Sequence, residues 1–331
     1  MKKIEISRYG DPEEVVSCVE GPDIDAPNKD EVVFDVLAFP INPADVAFCQ
    51  GNYRLKPPLP TTPGAECVGR IIAVGSDVNA VSIGDIVINL ERENWAQQRR
   101  VKATSVIKLP SNINLTQAAM IRINPPTVRL LLQDIVTLSA GDWIIQNVGN
   151  SAVGRQIIAL AKHRGIRTIN IVRRADVFDD MYALGADVCL LDGDDLQVRA
   201  DKACDGAAIV LGIDAISGSA TARIAGCVAE NATVCTYGSM SGLPASVPSF
   251  DLIYRGITFT GFMLGRFLAK YSTAEIEAIY AEIADDVASG RLQAPVDKIY
   301  PIDDIKIAIR HAQSPGHYGK ILIAPNGMDV R

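Results

Sequence analysis

GDWIIQNVGNSAVGRQIIALAKHRGIRTINIVRRA, Gly141 to Ala175, decides the fold class of this 331-residue chain. Trp143 to Val148 are six residues without a formal charge, the pattern of a buried strand. NVGNSAVG then turns into an apolar run, Ile157, Ile158, Leu160 and Ala161, at helical spacing, which makes half of a βαβ unit. Gly149, Ser151 and Gly154 fall on the spacing of G-x-G-x-x-G, with serine in place of the middle glycine. Small residues at those positions allow a tight turn and let a pyrophosphate lie against backbone N–H groups at a helix N-terminus. Alone, an imperfect glycine turn is equally compatible with an ordinary strand-to-helix turn. The following strand, 168 to 172, adds weight, because it ends in Arg173 and Arg174 where an NAD site carries an acid for the ribose 2′-hydroxyl. Two arginines suit a 2′-phosphate, so NADPH is the expected cofactor.

Outward from this unit the alternation continues. VCLLD, AAIVLGID, ATVCTYGS and ITFTGFM read as strands, and DVFDDMYAL, DDLQVRADK and SATARIAGCV as helices between them. That order predicts a parallel, doubly wound sheet. TAEIEAIYAEIADDVASG carries Ile276, Ile279, Ile283 and Val287 at a three-to-four spacing and predicts an amphipathic helix ending at Gly290. The final 40 residues read as strand, helix, strand. From Lys3 to about Pro110 the pattern changes to short strands, EVVFDVLAF, ECVGRIIAVG and DIVINL, broken by Gly, Pro, Asn and Asp. Between the first two lies INPADVAFCQGNYRLKPPLPTTPGAE, read as a surface loop of the kind that carries function. A helical stretch from Thr116 is interrupted by AsnProPro at 124 to 126, near the expected domain boundary.

Composition excludes several classes. With 48% hydrophobic residues the chain can build two cores, and a net charge of −7 argues against a broad nucleic-acid surface. No apolar run approaches the roughly 20 residues that span a bilayer, and MetLysLysIleGluIle lacks the apolar core of a signal peptide. The expectation is a cytoplasmic protein, or a processed organelle form, with no membrane and no nucleic-acid partner. Cys18, Cys49, Cys67, Cys189, Cys204, Cys227 and Cys235 contain no CxxC pair and read as reduced thiols. His163, His311 and His317 are not at metal-ligand spacing with one another or with a cysteine, so no metal site is expected.

INPAD at 41 to 45, GNY at 51 to 53, PGAE at 63 to 66, NPPT at 124 to 127, QNVGNSAVG, RTINIVR, TYGSMSGLP at 236 to 244 and GFML at 261 to 264 span almost the whole chain. Together they resemble the zinc-free medium-chain dehydrogenase/reductases, and lean towards the mitochondrial-type trans-2-enoyl thioester reductases, with quinone oxidoreductases as near relatives. Ala65 stands where zinc-using relatives carry a ligand. The resemblance implies an α/β protein of two parts. A GroES-like β domain would be formed by residues 1–121 and 294–331, and a Rossmann NADPH-binding domain by 122–293, with substrate in the cleft between.

The resemblance also implies roles. Tyr53 matches the proton donor of the family, Asn124 would help hold the nicotinamide end, and Asn42 and Thr127 would also contact the cofactor. Gly149, Asn150, Ser151, Ala152, Val153 and Gly154 would cradle the pyrophosphate. Arg173 and Arg174 would take the 2′-phosphate, while Tyr237, Gly238, Ser239 and Met240, then Phe262, Met263 and Leu264, would line the cofactor at strand ends. Lys320 matches a lysine near the cofactor phosphate. For Asn124, a residue ending a helix before proline is the plain alternative; for 262–264 it is ordinary core, and for Lys320 a solvated lysine.

The activity implied is NADPH-dependent reduction of the C=C bond of a 2-enoyl thioester, with hydride to Cβ and a proton to Cα. A quinone or 2-alkenal reductase is the alternative on the same fold. A cofactor-binding sensor or structural protein without catalysis is the alternative of another class. A homodimer pairing through the strand at 257–262 is also implied.

Overall fold

In the computed structural model, which describes residues 1–314, 316 and 318–327, the chain divides into two compact units, Met1–Pro125 with Ala274–Arg331, and Pro126–Thr273. His317 lies outside the described residues. The sequence expectation put the two crossings at 121/122 and 293/294. The division falls at Pro125/Pro126 and Thr273/Ala274, because most of the long helix Thr273–Ala288 packs with the first unit. Its Tyr280 hydroxyl donates to the Arg122 carbonyl at 2.9 Å, and Ile279, Ile283 and Val287 are buried as their spacing predicts. Gly290, at φ 77°, stands just past the end of that helix, where its missing Cβ makes the left-handed turn cheap.

The first unit is built on a seven-stranded, mostly antiparallel sheet. Glu31–Pro40 lies at its centre, bonded to Val68–Val74, Gln98–Lys102 and the C-terminal strand Lys320–Ala324. The alternation in EVVFDVLAF puts Val32, Phe34 and Val36 into a core shared with Ile71, Trp95 and Ile323. Val296–Pro301 pairs parallel with the C-terminal strand, an arrangement that needs a crossover, supplied by the helix Ile305–Gln313. Two local expectations are corrected here. INPAD is not loop: Pro43–Cys49 is a helix, with Pro43 in its first turn and Asp45 accepting from the Asn42 backbone N–H at 3.1 Å. The interruption expected at AsnProPro falls earlier, at residues 119–123 between the helices Leu115–Ala118 and Asn124–Leu131, and AsnProPro itself opens the second helix. Prolines fit a first turn, where their missing N–H has no intrahelical partner to lose.

The second unit holds six strands, all parallel. Read across the sheet they are Val188–Leu191, Arg167–Val172, Trp143–Asn147, Ile209–Asp214, Thr233–Thr236 and Thr258–Gly261. The order reverses at Trp143–Asn147, the first strand of the unit, which sits in the middle. That is the switch point at which doubly wound sheets hold ligands beyond their strand C-termini. A strand covered on both faces must be wholly non-charged, and every residue of Trp143–Asn147 is buried. Thr258–Gly261 is an edge strand. Among the described residues no helix is long and apolar enough to cross a membrane.

Candidate active site

In the second unit, Trp143–Asn147 leads into Val148, at φ 52°, then into the helix Ala152–His163. Ser151 caps this helix: its hydroxyl accepts from the Gly154 N–H at 3.1 Å. The serine in the middle-glycine position is therefore a cap, which the spacing alone did not reveal. The N–H groups of Ala152 and Val153, in the first turn, have no intrahelical acceptor and remain to meet an anion. Close backbone approach requires glycine at 154, while at 149 a side chain would have to displace the end of Met181. A Cβ on Gly154 would stand 2.6 Å from the carbonyl oxygens of Val148 and Gly149, and one on Gly149 would stand 2.7 Å from Met181 Cε. A turn this tight, with open N–H groups beside it, fits a dinucleotide pyrophosphate.

Behind the turn is a layer of buried polar side chains that sequence reasoning passed over as strand. Gln146 Nε2 donates to the Gly154 carbonyl at 2.9 Å and to Asn170 Oδ1 at 2.7 Å. Asn147 Nδ2 donates to Asp214 Oδ1 at 2.6 Å, and Asn147 Oδ1 accepts from the Ala215 N–H at 2.8 Å. Asp214 also accepts from the N–H groups of Ile216 and Ser217, and from Thr221 Oγ1 at 2.7 Å. The only signal in the sequence was a polar residue at each strand end. Buried amides bonded to the backbone fix the turn more rigidly than packing alone, although Gln146 Oε1 has no hydrogen-bond partner among the described residues.

Arg173 and Arg174 follow the strand Arg167–Val172 and are both exposed; Arg174 Nε lies 3.3 Å from Asp176 Oδ1, while no ion pair to a described residue engages Arg173. Tyr237 is half-buried, and its burial pushes the phenol well above its ordinary value, against the lowering effect of Ser151. Gly238 is half-buried, and Ser239 and Met240 are exposed. Phe262 is buried against Phe267, ring centroids 4.5 Å apart, and Met263 caps the short helix that begins at Leu264. Thr127 is buried.

The first unit carries Tyr53, Asn42, Asn124 and Lys320. Asn42 and Lys320 belong to a buried cluster that no single stretch of sequence shows. Lys320 Nζ donates to Asn42 Oδ1, and Asn42 Nδ2 donates to Glu66 Oε1 at 2.8 Å. Glu66 Oε2 accepts from the Ile123 N–H at 3.0 Å, next to the buried Asn124. Asp45, with no exposed surface, accepts from the N–H groups of Asn42 and Ala65. Arg122 donates to the carbonyls of Ala65 and Leu90. Lys320 is thus enclosed among acids rather than solvated. Burial pushes its amine down, against the pull of Glu66 and Asp45. It pushes Glu66 up to about 7 in spite of Lys320 and Asn42, and raises Asp45 despite Arg92 and the two N–H donors. Each shift moves its group towards the neutral form.

Tyr53 sits in irregular chain after the Pro43–Cys49 helix, half-buried, and among the described residues its hydroxyl has no hydrogen-bond partner. Beside its loop lies an open concavity of about 330 Å³ whose walls include Phe48, Leu55, Pro57 and Arg92. No three or more His, Cys, Asp or Glu side chains are grouped to hold a metal ion among the described residues. All seven cysteines are free thiols.

Comparison with known proteins places this geometry. Residues 28–111 match the alcohol dehydrogenase GroES-like domain, and residues 152–282 match the family described as zinc-binding dehydrogenase. The mitochondrial enoyl-[acyl-carrier-protein] reductase of Dictyostelium discoideum is 30% identical over 331 residues, covering 97% of this chain and 94% of that protein. A protein from Bacillus thuringiensis described as a putative NADPH:quinone reductase superposes with a TM-score of 0.92 at 25% identity, covering 98% of each chain. Etr1p, a mitochondrial 2-enoyl thioester reductase from Candida tropicalis solved in complex with NADP and crotonyl-CoA, shares the fold with a TM-score of 0.86 at 24% identity over 98% of this chain and 99% of its own. The chain belongs to the medium-chain dehydrogenase/reductase superfamily. It is an oxidoreductase with a GroES-like domain, a Rossmann domain and the pyridine-nucleotide site of that superfamily.

Proposed function

We propose that the protein is an NADPH-dependent reductase of the C=C bond of 2-enoyl thioesters, carried on coenzyme A or on an acyl carrier protein. The observation that carries this reading is the likeness over nearly the full chain to enoyl-[acyl-carrier-protein] reductases, at 30% identity. Supporting it for the cofactor are the exposed Arg173 and the absence of an acid directly after the Arg167–Val172 strand. The glycine turn with Asn150, Ser151, Ala152 and Val153 holds the pyrophosphate, and Arg173 with Arg174 takes the 2′-phosphate. Tyr237 to Met240 and Phe262 to Leu264 flank the cofactor, Asn124 attends its nicotinamide end, Lys320 lies towards a cofactor phosphate, and Asn42 and Thr127 complete the cofactor site.

When bound, the nicotinamide supplies the hydride that reaches Cβ. The chain supplies orientation and the proton. As electron density moves towards the thioester carbonyl, Cα becomes basic. Tyr53 donates its hydroxyl proton there: its O–H bond breaks, a C–H bond forms at Cα, and the phenolate recovers a proton from water.

The protein is a homodimer in this reading, with the edge strand Thr258–Gly261 pairing with that of a second copy. The exposed Phe250, Ile253 and Tyr254 lie in the segment just before it, and exposed apolar side chains beside an open edge favour a partner. Light scattering at micromolar concentration should return twice the chain mass; a monomer mass overturns that assembly.

The superposition on the Bacillus thuringiensis protein favours one second reading, quinone reduction. Steady-state NADPH oxidation with crotonyl-CoA and with a quinone, side by side, decides between them. The proposal requires kcat/KM for crotonyl-CoA to exceed that for the quinone by at least tenfold, and the reverse ratio discards it.

A further inference from the structure

Arg92 lies outside the motifs that carry the family resemblance, yet it meets three side chains, Tyr53 itself and Phe48 and Asp45 of the helix before it. Its guanidinium carbon stands 5.1 Å from the centroid of the Tyr53 ring and 5.4 Å from that of Phe48, within the range of cation–π attraction. Its Nη2 is 3.7 Å from Asp45 Oδ1, too far for a hydrogen bond, and this buried nitrogen has no hydrogen-bond partner among the described residues. The side chain retains only 24% of its exposure, and Asp45 none. The position of the guanidinium is therefore set by two ring faces in front and a carboxylate behind. Asp45 is itself pinned by the N–H groups of Asn42 and Ala65.

Tyr53 lacks comparable anchors of its own. Its segment has no regular secondary structure and its hydroxyl is unpaired, so what restrains the ring is packing against the core and the face of Arg92. We infer that Arg92 is a positioning residue for proton delivery, clamping the Tyr53 ring against the Phe48 and Asp45 framework and offsetting the charge of the phenolate left behind. This rests on the reading of Tyr53 as the donor. The reason it matters is geometric and electrostatic. Reacting atoms must meet within about 3–3.5 Å, and an ångström of misplacement costs on the order of 100-fold in rate. A cation already beside the ring where negative charge develops needs no reorganisation during the step.

The test is a double-mutant cycle read in single-turnover rates on crotonyl-CoA, with melting temperature and NADPH dissociation constant measured on every variant. Arg92→Met should slow turnover by about 10- to 100-fold in the parent, with NADPH affinity unchanged, while Arg92→Lys, which keeps the charge but loses the planar face, should recover part of the loss. In the Tyr53→Phe background, Arg92→Met should slow the residual rate by less than about threefold, because no hydroxyl remains to be positioned. Losses that multiply across the two sites, or an unchanged rate in Arg92→Met, overturn the inference. If Arg92→Met does not fold, the same cycle run with Arg92→Lys decides by the same two criteria. If Tyr53→Phe alone leaves the rate unchanged, the donor reading itself falls, and that single variant identifies which of the two has failed.

Discussion

The two units bury polar side chains in different ways, and the contrast separates what holds a cofactor from what responds to protons. In the second unit the buried layer is mostly amides and hydroxyls, Gln146, Asn147, Asn170 and Thr221 around a single acid, Asp214. The bonds from Gln146 and Asn147 lie between 2.6 and 2.9 Å, and they reach the backbone of the glycine turn and of the Ile209–Asp214 strand end. In the first unit the layer is ionisable: Asp45, Glu66, Lys320 and Arg122, with Arg92 at its margin. Burial pulls Glu66 and Lys320 towards neutrality while each draws the other towards charge. The first unit is therefore the one that packs shifted acids against a shifted amine, and it is the unit that carries Tyr53.

The largest effect that would sharpen this contrast is in the first unit. Tyr53→Phe should lower kcat on crotonyl-CoA by about 10²- to 10⁴-fold, the usual worth of one positioned acid. NADPH binding and melting temperature should hardly move, since the hydroxyl has no described partner to lose. More than about half of the parent kcat surviving would leave Tyr53 only a wall of the pocket.

In the second unit, Arg173→Ala should raise KM for NADPH by about 10- to 100-fold, as expected from losing a charge-assisted hydrogen bond of about 1.5–3 kcal/mol. KM for NADH should stay within about twofold. Equal use of both cofactors by the parent protein contradicts the assignment.

A smaller effect tests the ionisable layer. Glu66 binds its proton more tightly folded, near 7, than at its ordinary 4.5. Between those values the folded state holds more protons than the unfolded, so unfolding free energy must fall as pH rises through that window. The whole difference corresponds to about 3 kcal/mol at most. Chemical denaturation at pH 5 and pH 7.5 should show the parent losing stability over this interval, and Glu66→Gln should flatten the loss. A parent whose stability rises with pH there, with no change in Glu66→Gln, breaks the contrast between the units.

The smallest effect is none at all. Prolonged dialysis against a chelator should leave crotonyl-CoA reduction within about 20% of its starting rate, as the zinc-free resemblance and Ala65 imply, and one zinc per chain required for turnover would contradict it.

What was legible in the sequence was what is local. Periodicity marks the strand, glycine turn and helix at 143–163, and the amphipathic helix at 273–288, because neighbours in sequence share one element. The helix at Pro43 has a local signature too, Asn-Pro with an acid at the third helical position, but the prolines that follow it masked the signal. The buried cluster left no comparable trace. Asn42 meets Glu66 across 24 positions and Lys320 across 278, and the antiparallel pairings of Glu31–Pro40 with Val68–Val74 and with the C-terminal strand bring them together. Arg92 meets Tyr53 in the same way, through the fold rather than through spacing.

In the proposed reaction hydride reaches Cβ of an enoyl thioester while a protein-held proton reaches Cα. Its most direct test is the fate of label in the product. With NADPH deuterated at the transferring position of C4 and crotonyl-CoA in ordinary water, the butyryl-CoA formed should carry one deuterium at C3 and none at C2. With unlabelled NADPH in heavy water, the deuterium should appear at C2 alone, and Tyr53→Phe should slow its arrival. Label from NADPH at C2, or no butyryl-CoA at all while a quinone is reduced, would contradict the account.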